Sequence, residues 1–442
     1  MAGGTWTVQN KVLPGVYTNI IGEGPLPSVL GDRGIVALPV VLPWLAEHEV
    51  MVLYPADIAQ FEADYGKYAV PVREAMKNAS QIYIYRLNDG IKATVTISNL
   101  VCTAMYSGIF GNRLAVSVEN VLGESEMFHV VTWLDAREVE RQTVADISGL
   151  ADNHWIKFAA SGEDKSLTIS AGSLLSGGAD GDVTNADYAA ALSALEPFAF
   201  DAIACTSDEA DIKNLFVAFI KRMIRDEGRF MQGVIPDIAT ADFEAIISVK
   251  IGVYLEGGEH IPNTIAAAYI AGATVGVSLS TSLTASSYIG AVDVDRRFSN
   301  AELIELANSG QMVFVPSKTQ SNSVSILKDI NTLVSFDETH TYAMSKNKII
   351  RITYYVAQNM DAIMTNWFMG RIPNDEQGHS RLKATILTEL FRPLEVQRAL
   401  RDVQPEDITI TQGTNIDAVV SDYAIKVVDV MEIFYNTIRV HG

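Results

Sequence analysis

Cysteine is almost missing from this chain: 442 residues hold two, Cys102 and Cys205, with no CxxC spacing. That usage points to folding in a reduced compartment and away from a disulfide framework. Positive charge is also scarce, with 33 Lys and Arg against 53 Asp and Glu and a net charge of −20. A surface of that sign repels phosphate backbones and anionic lipid, so no direct nucleic-acid partner is expected. The opening Met1-Ala2-Gly3-Gly4-Thr5-Trp6 is neutral and runs into polar residues, without a charged n-region or an apolar h-region, so export is not expected. A long apolar span is lacking too. Ile261 to Val292 carries no charge, but Pro262, Asn263 and many Ser, Thr and Gly dilute it. A buried small-residue helix over Thr264–Val277, followed by a loop or strand, is expected there, and no stable membrane insertion.

What remains is an ordinary folding composition, 48% hydrophobic and 19% charged, long enough for several domains. The cleanest pattern runs from Ser173 to Ile235. A Gly/Asp turn leads into a helix Ala186–Leu195 closed by Pro197, then a strand Phe200–Cys205. A second helix follows, N-capped by Ser207 or Asp208, with Leu215, Phe216, Phe219, Met223 and Ile224 on one face. Its far face carries Lys213, Lys221, Arg222 and Arg225. Strand 229–235 comes next, and two apolar strands around a helix predict a parallel sheet covered on both sides.

A second α/β unit reads as strand Gly34–Val41, strand Val50–Tyr54, helices Ala56–Tyr65 and Pro71–Asn78, and strand Gln81–Arg86 before the turn Asn88-Asp89-Gly90. Residues 91–172 read instead as short strands: Ala93–Ile97, Arg113–Val121, Met127–Leu134, Glu138–Val144 and Trp155–Ala159. An inserted all-β sandwich or barrel is expected. The α/β pattern then resumes to 350, with strands near Ile247–Val253, Met312–Pro316 and Ser323–Leu327.

Helices dominate 351–401. Arg381–Arg401 places Leu382, Ile386, Leu387, Leu390, Leu394 and Leu400 along one side, and Pro393 should bend or divide it. Arg381, Lys383, Arg392, Arg398 and Arg401 against Glu389 and Glu395 give it a local charge of +3 on an acidic chain. The tail Asp417–Val440 would span about 80 Å as one strand at roughly 3.3 Å per residue. It must therefore be broken or leave its own domain. Like residues 5–17, it is a strand pattern without a local partner, suited to strand addition on another subunit.

No catalytic constellation emerges. The histidines, His48, His129, His154, His260, His340, His379 and His441, sit beside no Ser elbow, which argues against a hydrolase. Gly177-Gly178-Ala179-Asp180-Gly181-Asp182 resembles a single calcium β-roll repeat, but such sites need stacked repeats, and a turn is the simpler reading. Ala271–Gly276 has the wrong glycine spacing for a dinucleotide loop. Asp293-Val294-Asp295-Arg296-Arg297 reads as a solvated turn with local ion pairs. Neither a cofactor nor a metal is expected, and the weight moves toward a structural role.

In order along the chain, several segments resemble the sheath protein of contractile phage tails and of phage-tail-like bacteriocins of Gram-positive bacteria. Pro14-Gly15-Val16-Tyr17 resembles the N-terminal motif of that family. Gly108–Arg113, Phe128–Val131 and Val139-Glu140 are similar to its inserted β domain. Leu174–Gly181 with Asp187-Tyr188 and Ala190-Ala191-Leu192 resembles its L-x-G-G-x-D-G…D-Y-x-x-A-L signature, with Ser176 where other members often carry Thr. Ile261-Pro262-Asn263, Ala271-Gly272-Ala273, Gly310–Phe314, Asp329–Leu333 and Ile349-Ile350-Arg351 follow its C-terminal half.

The resemblance implies a multidomain α/β protein whose central domain is subtilisin-like in topology but lacks the triad. The divisions it implies are an N-terminal arm 1–20, a core segment 21–90, an inserted β domain 91–172, the core 173–350, an α+β tube-facing domain 351–422 and a C-terminal strand or arm 423–442. It implies a sheath subunit, not an enzyme, that polymerises as stacked hexameric rings around an inner tail tube protein. Contraction then drives the tube through a target envelope, with baseplate and tail terminator proteins as further partners. Assembly in the bacterial cytoplasm into a virion tail or bacteriocin particle is implied, and a DNA-free bacteriocin or related contractile injection system is the alternative. The inter-subunit arms would use Thr5, Trp6, Val8, Val12, Val430, Ile433, Tyr435, Ile438 and Val440, and the tube contact Arg381, Lys383, Arg392 and Arg398. Two other classes stay open beside it. An enzyme would need a nucleophile and base in reach, and an adhesive surface protein would need the missing export signal. A type VI secretion sheath is nearer in mechanism but is usually built from two different chains.

Overall fold

The computed structural model describes residues 33–441 apart from Ala239 and Thr319, the backbone but not the side chains of Glu124 and Ser125, and the backbone of Ala2–Gly4 and Gly15–Tyr17, which pair as short parallel strands. The described residues from Arg33 on divide into two compact units, one comprising Arg33–Gln358, Gln397–Arg401 and the residues from Val427, the other Asn359–Val396 and Asp402–Lys426.

The larger unit is built on a seven-stranded sheet. Its strands lie in the order Gln311–Met312, Ile246–Val249, Gln232–Pro236, Ala202–Ala204, Ile35–Val40, Gln81–Arg86 and Val50–Leu53. All neighbours are parallel except the edge strand Val50–Leu53, which runs antiparallel to Gln81–Arg86. Alternation along the strands sorts the core. Val36, Leu38 and Val40 face helices Val70–Met76 and Asn263–Gly276, whereas Ala37, Ile203 and Ile235 face helices Asn185–Leu195 and Ala210–Arg225. Both faces are covered, so these strands are apolar throughout.

Several expectations hold closely. The helix expected at 186–195 is Asn185–Leu195, started by Thr184 with Asp187 reaching back to it, and Gln81–Arg86 has the expected bounds. The helix expected at Thr264–Val277 is Asn263–Gly276 and lies within the core; among the described residues no helix is long and apolar enough to cross a membrane. Its glycines serve close packing. A Cβ on Gly272 would lie 2.1 Å from the Ala75 carbonyl oxygen, and one on Gly276 2.1 Å from that of Asn78, so the Ala271–Gly276 run seats one helix backbone on another.

Other expectations need correction. The helix after Ala204 is N-capped by Glu209, whose amide is held by Ser207 Oγ, and not by Ser207 or Asp208 themselves. Lys213, read as lying on the helix's far face with Lys221, Arg222 and Arg225, is buried, its ammonium paired with Asp208 of the loop before the helix.

The β insertion is two packed sheets. One has the order Arg137–Val144, Glu124–Leu134, Leu114–Val121, Ser170–Leu174, and the other Ile156–Ala160, Leu100–Ala104, Thr94–Ile97. Leu100–Ala104 and Ser170–Leu174 were not expected from the sequence. The second is rich in Ser and Gly and shows no apolar run, whereas the first, Leu-Val-Cys-Thr-Ala, is an apolar run the reading passed over.

A tight joint ties this sandwich to the sheet. Trp44 packs against Tyr106 and Phe110 at ring-centre distances of 5.2 and 5.1 Å. The Gly/Asp motif builds the rest. Ala179–Asp180 pairs with Gly90–Ile91, Asp180 accepts from the Ile109 amide and the Tyr68 hydroxyl, both at 3.0 Å, and Asn112 exchanges hydrogen bonds with both backbone groups of Gly178. Gly108, at φ +115°, sits where a Cβ would be 2.1 Å from the Pro43 carbonyl oxygen. Each Asp180 oxygen thus accepts from a protein donor, which ties the turn to Ile109 and Tyr68.

In the smaller unit, helix Glu376–Thr385 is capped by Asp375 and continues as a π-helix over Ile386–Phe391 and an α-turn over Arg392–Val396. The wide turns accommodate Pro393, whose ring would otherwise meet the preceding turn, so the segment continues past it. They also rotate the buried face: Leu382, Ile386, Leu390, Phe391 and Leu394 are buried, and Leu387 is half-buried. The helix expected to reach Arg401 ends at Val396. An antiparallel hairpin, Ile408–Gln412 with Val419–Tyr423, breaks the tail as its length requires.

Candidate functional site

The C-terminal tail divides into a held part and a free part. Val428 donates its amide to the Ala399 carbonyl at 2.9 Å, beside a bridge between Leu400 and Val427, and Lys348 Nζ donates to the Val428 carbonyl. Lys346 Nζ then meets Asp429 and, at 3.1 Å, Glu432. Glu432 Oε1 also accepts from Thr284 Oγ1 at 2.8 Å, and Thr284 Oγ1 in turn accepts from the Asp329 amide at 2.9 Å. Asp329 forms a fully buried ion pair with Arg351 at 2.9 Å and accepts from Asn347 Nδ2 and the Leu283 amide. Burial lowers the ammonium pKa of Lys346, but the hydrogen bonds from its two carboxylate partners outweigh it and the net shift is upward.

Val430 is half-buried here and, with Met431 and Ile433, borders a groove of about 760 Å³ whose other wall includes Leu303, Ile304, Val315 and Leu327. Beyond it the environment changes. Residues 433–441 belong to no helix or strand and have no hydrogen bond or ion pair among the described residues. Their apolar side chains face solvent: Ile433 is 71% exposed, Tyr435 92%, Ile438 88% and Val440 88%. Water satisfies such a backbone, but the apolar surface is left uncovered.

The structure thus gathers Ile433, Tyr435, Ile438 and Val440 on one free segment and puts Val430 at its root. Thr5, Trp6, Val8 and Val12 lie outside the described residues. Lys346, Asp429, Glu432 and Thr284 escaped the sequence reading, because they are up to 148 residues apart; the acidic interruptions at 429 and 432 of an apolar tail were the available signal.

The basic set is only partly assembled. Arg381 is exposed and Lys383 half-buried on helix Glu376–Thr385, and Arg392, exposed on the following turns, is paired with Glu395. Arg398 does not share that helix. It follows the helix end at φ +58° and belongs to the larger unit, because the chain turns back after Val396. Within the smaller unit a pocket of about 310 Å³ is lined by Met364, Phe368, Ile372, Pro373, Leu382 and Val419.

The remaining polar clusters are structural in geometry. At 337–340 the Asp337 carboxylate and Thr339 Oγ1 both approach His340 Nδ1. A hydrolytic triad needs the acid and the nucleophile on opposite ring nitrogens, so this is a capped turn. Hydrogen bonds from Thr339, then from the His340 amide, hold the Asp337 carboxyl well below the usual range. Asp293 pairs with Arg297 at 3.0 Å, and Asp295 accepts from the Gly252 amide at 2.8 Å. Among the described residues no group of three or more His, Cys, Asp or Glu is disposed to hold a metal.

A covered parallel sheet with an inserted sandwich and a separate helical and hairpin unit defines a multidomain α/β class, and comparison with known proteins is specific beyond that. Residues 88–180 match the phage tail sheath protein beta-sandwich domain, 181–332 its central domain and 339–441 its C-terminal domain. The chain belongs to the phage tail sheath protein family. It is 33% identical to the phage-like element PBSX protein XkdK of Bacillus subtilis and 34% identical to YqbK of the same organism, over the whole of each chain. Among solved structures it resembles the sheath tail protein of Desulfitobacterium hafniense, at 34% identity and TM-score 0.83, over 95% of this chain and 98% of that one. The sheath tail protein of Listeria innocua gives 32% and 0.80, over 91% and 93%. The protein is a tail sheath subunit of a phage-like particle.

Proposed function

We propose that the subunit polymerises into stacked hexameric rings forming a helical cylinder around an inner tube protein, and that the cylinder shortens and widens to drive the tube through a target cell envelope. The observation that carries this reading is the free segment 433–441, which exposes the apolar side chains of Ile433, Phe434, Tyr435, Ile438 and Val440 beyond a firmly held root. Strand addition to a neighbouring copy would pair its backbone and cover those side chains. The hairpin Ile408–Gln412 with Val419–Tyr423 is the proposed receiver: two strands are marginal alone, and Val419 and Val420 face solvent.

Arg381 and Lys383, followed by Arg392, are proposed to face the tube, with Arg398 outside that contact. The arms are Thr5, Trp6, Val8 and Val12 at one end and Ile433, Tyr435, Ile438 and Val440 at the other. The domain divisions stated from the resemblance, 1–20, 21–90, 91–172, 173–350, 351–422 and 423–442, are retained as part of this proposal, with baseplate and terminator proteins at the cylinder's ends. The central domain is proposed to be subtilisin-like in topology and without catalytic activity; the parallel sheet with helices on both faces supports the first, and the geometry at His340 the second. Assembly in the bacterial cytoplasm, without direct contact to nucleic acid or insertion in a membrane, follows from the same reading. The similarity to XkdK of a phage-like element favours a defective or DNA-free particle as the second reading.

The test is a chain ending at Glu432. It should fold as a protomer with normal far-ultraviolet circular dichroism and form no cylinders. Normal cylinders from it would contradict the arm reading.

A further inference from the structure

We propose that the C-terminal arm pivots at the Glu432–Ile433 step, and that residues 427–432 remain part of the larger unit in every assembly state. This rests on the arm reading above and adds where the moving part begins. The tail sequence alone does not fix such a boundary, since polar residues interrupt Val419–Val440 at several points, Asp422, Lys426, Asp429 and Glu432 among them; a pivot at the end of the hairpin, near residues 424–427, would be the simplest expectation.

The contacts place it further on. Four successive attachments hold 427–432: the Leu400–Val427 bridge, the Lys348 bond to the Val428 carbonyl, the Lys346 bond to Asp429, and Glu432 between Lys346 and Thr284. The side chains of Lys346 and Glu432 are only 14% and 11% exposed. Pulling Glu432 out would leave a cation short of its partner in a poorly solvated site and would open the Thr284 link to the buried Asp329–Arg351 pair. Pulling residues 433–441 away breaks no such contact among the described residues. Separation should therefore occur where holding contacts stop.

The test uses the full chain carrying Lys346→Cys and Glu432→Cys, joined in the monomer by a short bis-maleimide. Cys102 and Cys205 are buried, which leaves the new thiols as the reactive pair. The inference expects the stapled and unstapled chains to form cylinders to the same extent. If the unstapled chain polymerises and the stapled one stays monomeric, the root must detach and the pivot assignment is overturned. If neither chain nor the parent polymerises under any condition, the assembly reading itself fails. The pivot is then decided by limited digestion of the parent monomer with proteinase K, whose broad specificity can cut on either side: first cuts within 433–441 support it, and first cuts between 427 and 432 overturn it.

Discussion

The joint between the sandwich and the sheet and the tail beyond Glu432 use similar residue types to opposite ends. Both contain aromatic and β-branched side chains near the surface. At the joint, Trp44, Tyr106 and Phe110 cover one another, Asp180 has a donor on each oxygen, and glycines let backbones approach to distances that no side chain would allow. In the tail, Tyr435, Ile438 and Val440 face solvent almost entirely and Ile433 largely, at the border of the groove. A region that satisfies itself fixes two domains as one body; a region that cannot satisfy itself is suited to bind another copy. Stability should therefore respond to changes at the joint, and assembly to changes in the tail.

The sharpest way to break that contrast is to replace Ile433, Tyr435, Ile438 and Val440 together by Ser. Cylinder formation should be abolished, while the melting temperature stays unchanged, as for exposed positions. A large fall in melting temperature would mean that the tail belongs to the fold. Next in size is Asp329→Ala, which strands Arg351 in the core beneath the arm root. A cost of about 3–5 kcal/mol is expected in urea unfolding. Gly108→Val should cost on the order of 3 kcal/mol, since it adds a side chain at positive φ against the Pro43 carbonyl. A neutral result would show that the joint yields.

Burial pushes the thiols of Cys102 and Cys205 up to about 12, so neither should react with iodoacetamide at pH 8 until the chain is unfolded. The smallest effect is expected at Asp135, at the rim of the sandwich. Its hydrogen bond to Arg113 holds the carboxyl below the ordinary range. Because the folded-state value is the lower one, its contribution is present above the unfolded carboxylate value of about 4 and is lost as pH falls through the depressed value. Asp135→Ala should cost less than about 1 kcal/mol at neutral pH, because the pair is exposed.

Much of the architecture was legible where the period of apolar residues was clear. Strand Gln81–Arg86, helix Asn185–Leu195 and helix Asn263–Gly276 each declare themselves by spacing and by the residues that stop them. The break in the tail was legible from length alone. Strand Ser170–Leu174 was not, because its Ser and Gly pair through the backbone and bury little. The π-turns of Ile386–Phe391 were hidden as well: Pro393 announced a disturbance but not its form, and so Leu387 was placed on the buried face that Phe391 occupies. At the assembly surface, the apolar residues of the tail were evident because they crowd a segment too long to be one strand of its own domain. Their root was not, because Lys346 and Glu432 meet only through the fold.

Electron microscopy of the purified protein, alone and mixed with its cognate tube protein, tests the central claim most directly. The account predicts hollow, striated cylinders of six-fold symmetry, with tube-templated ones longer and narrower per subunit than those formed without the tube. Monomers persisting under both conditions, at concentrations where the fold is intact, would contradict it.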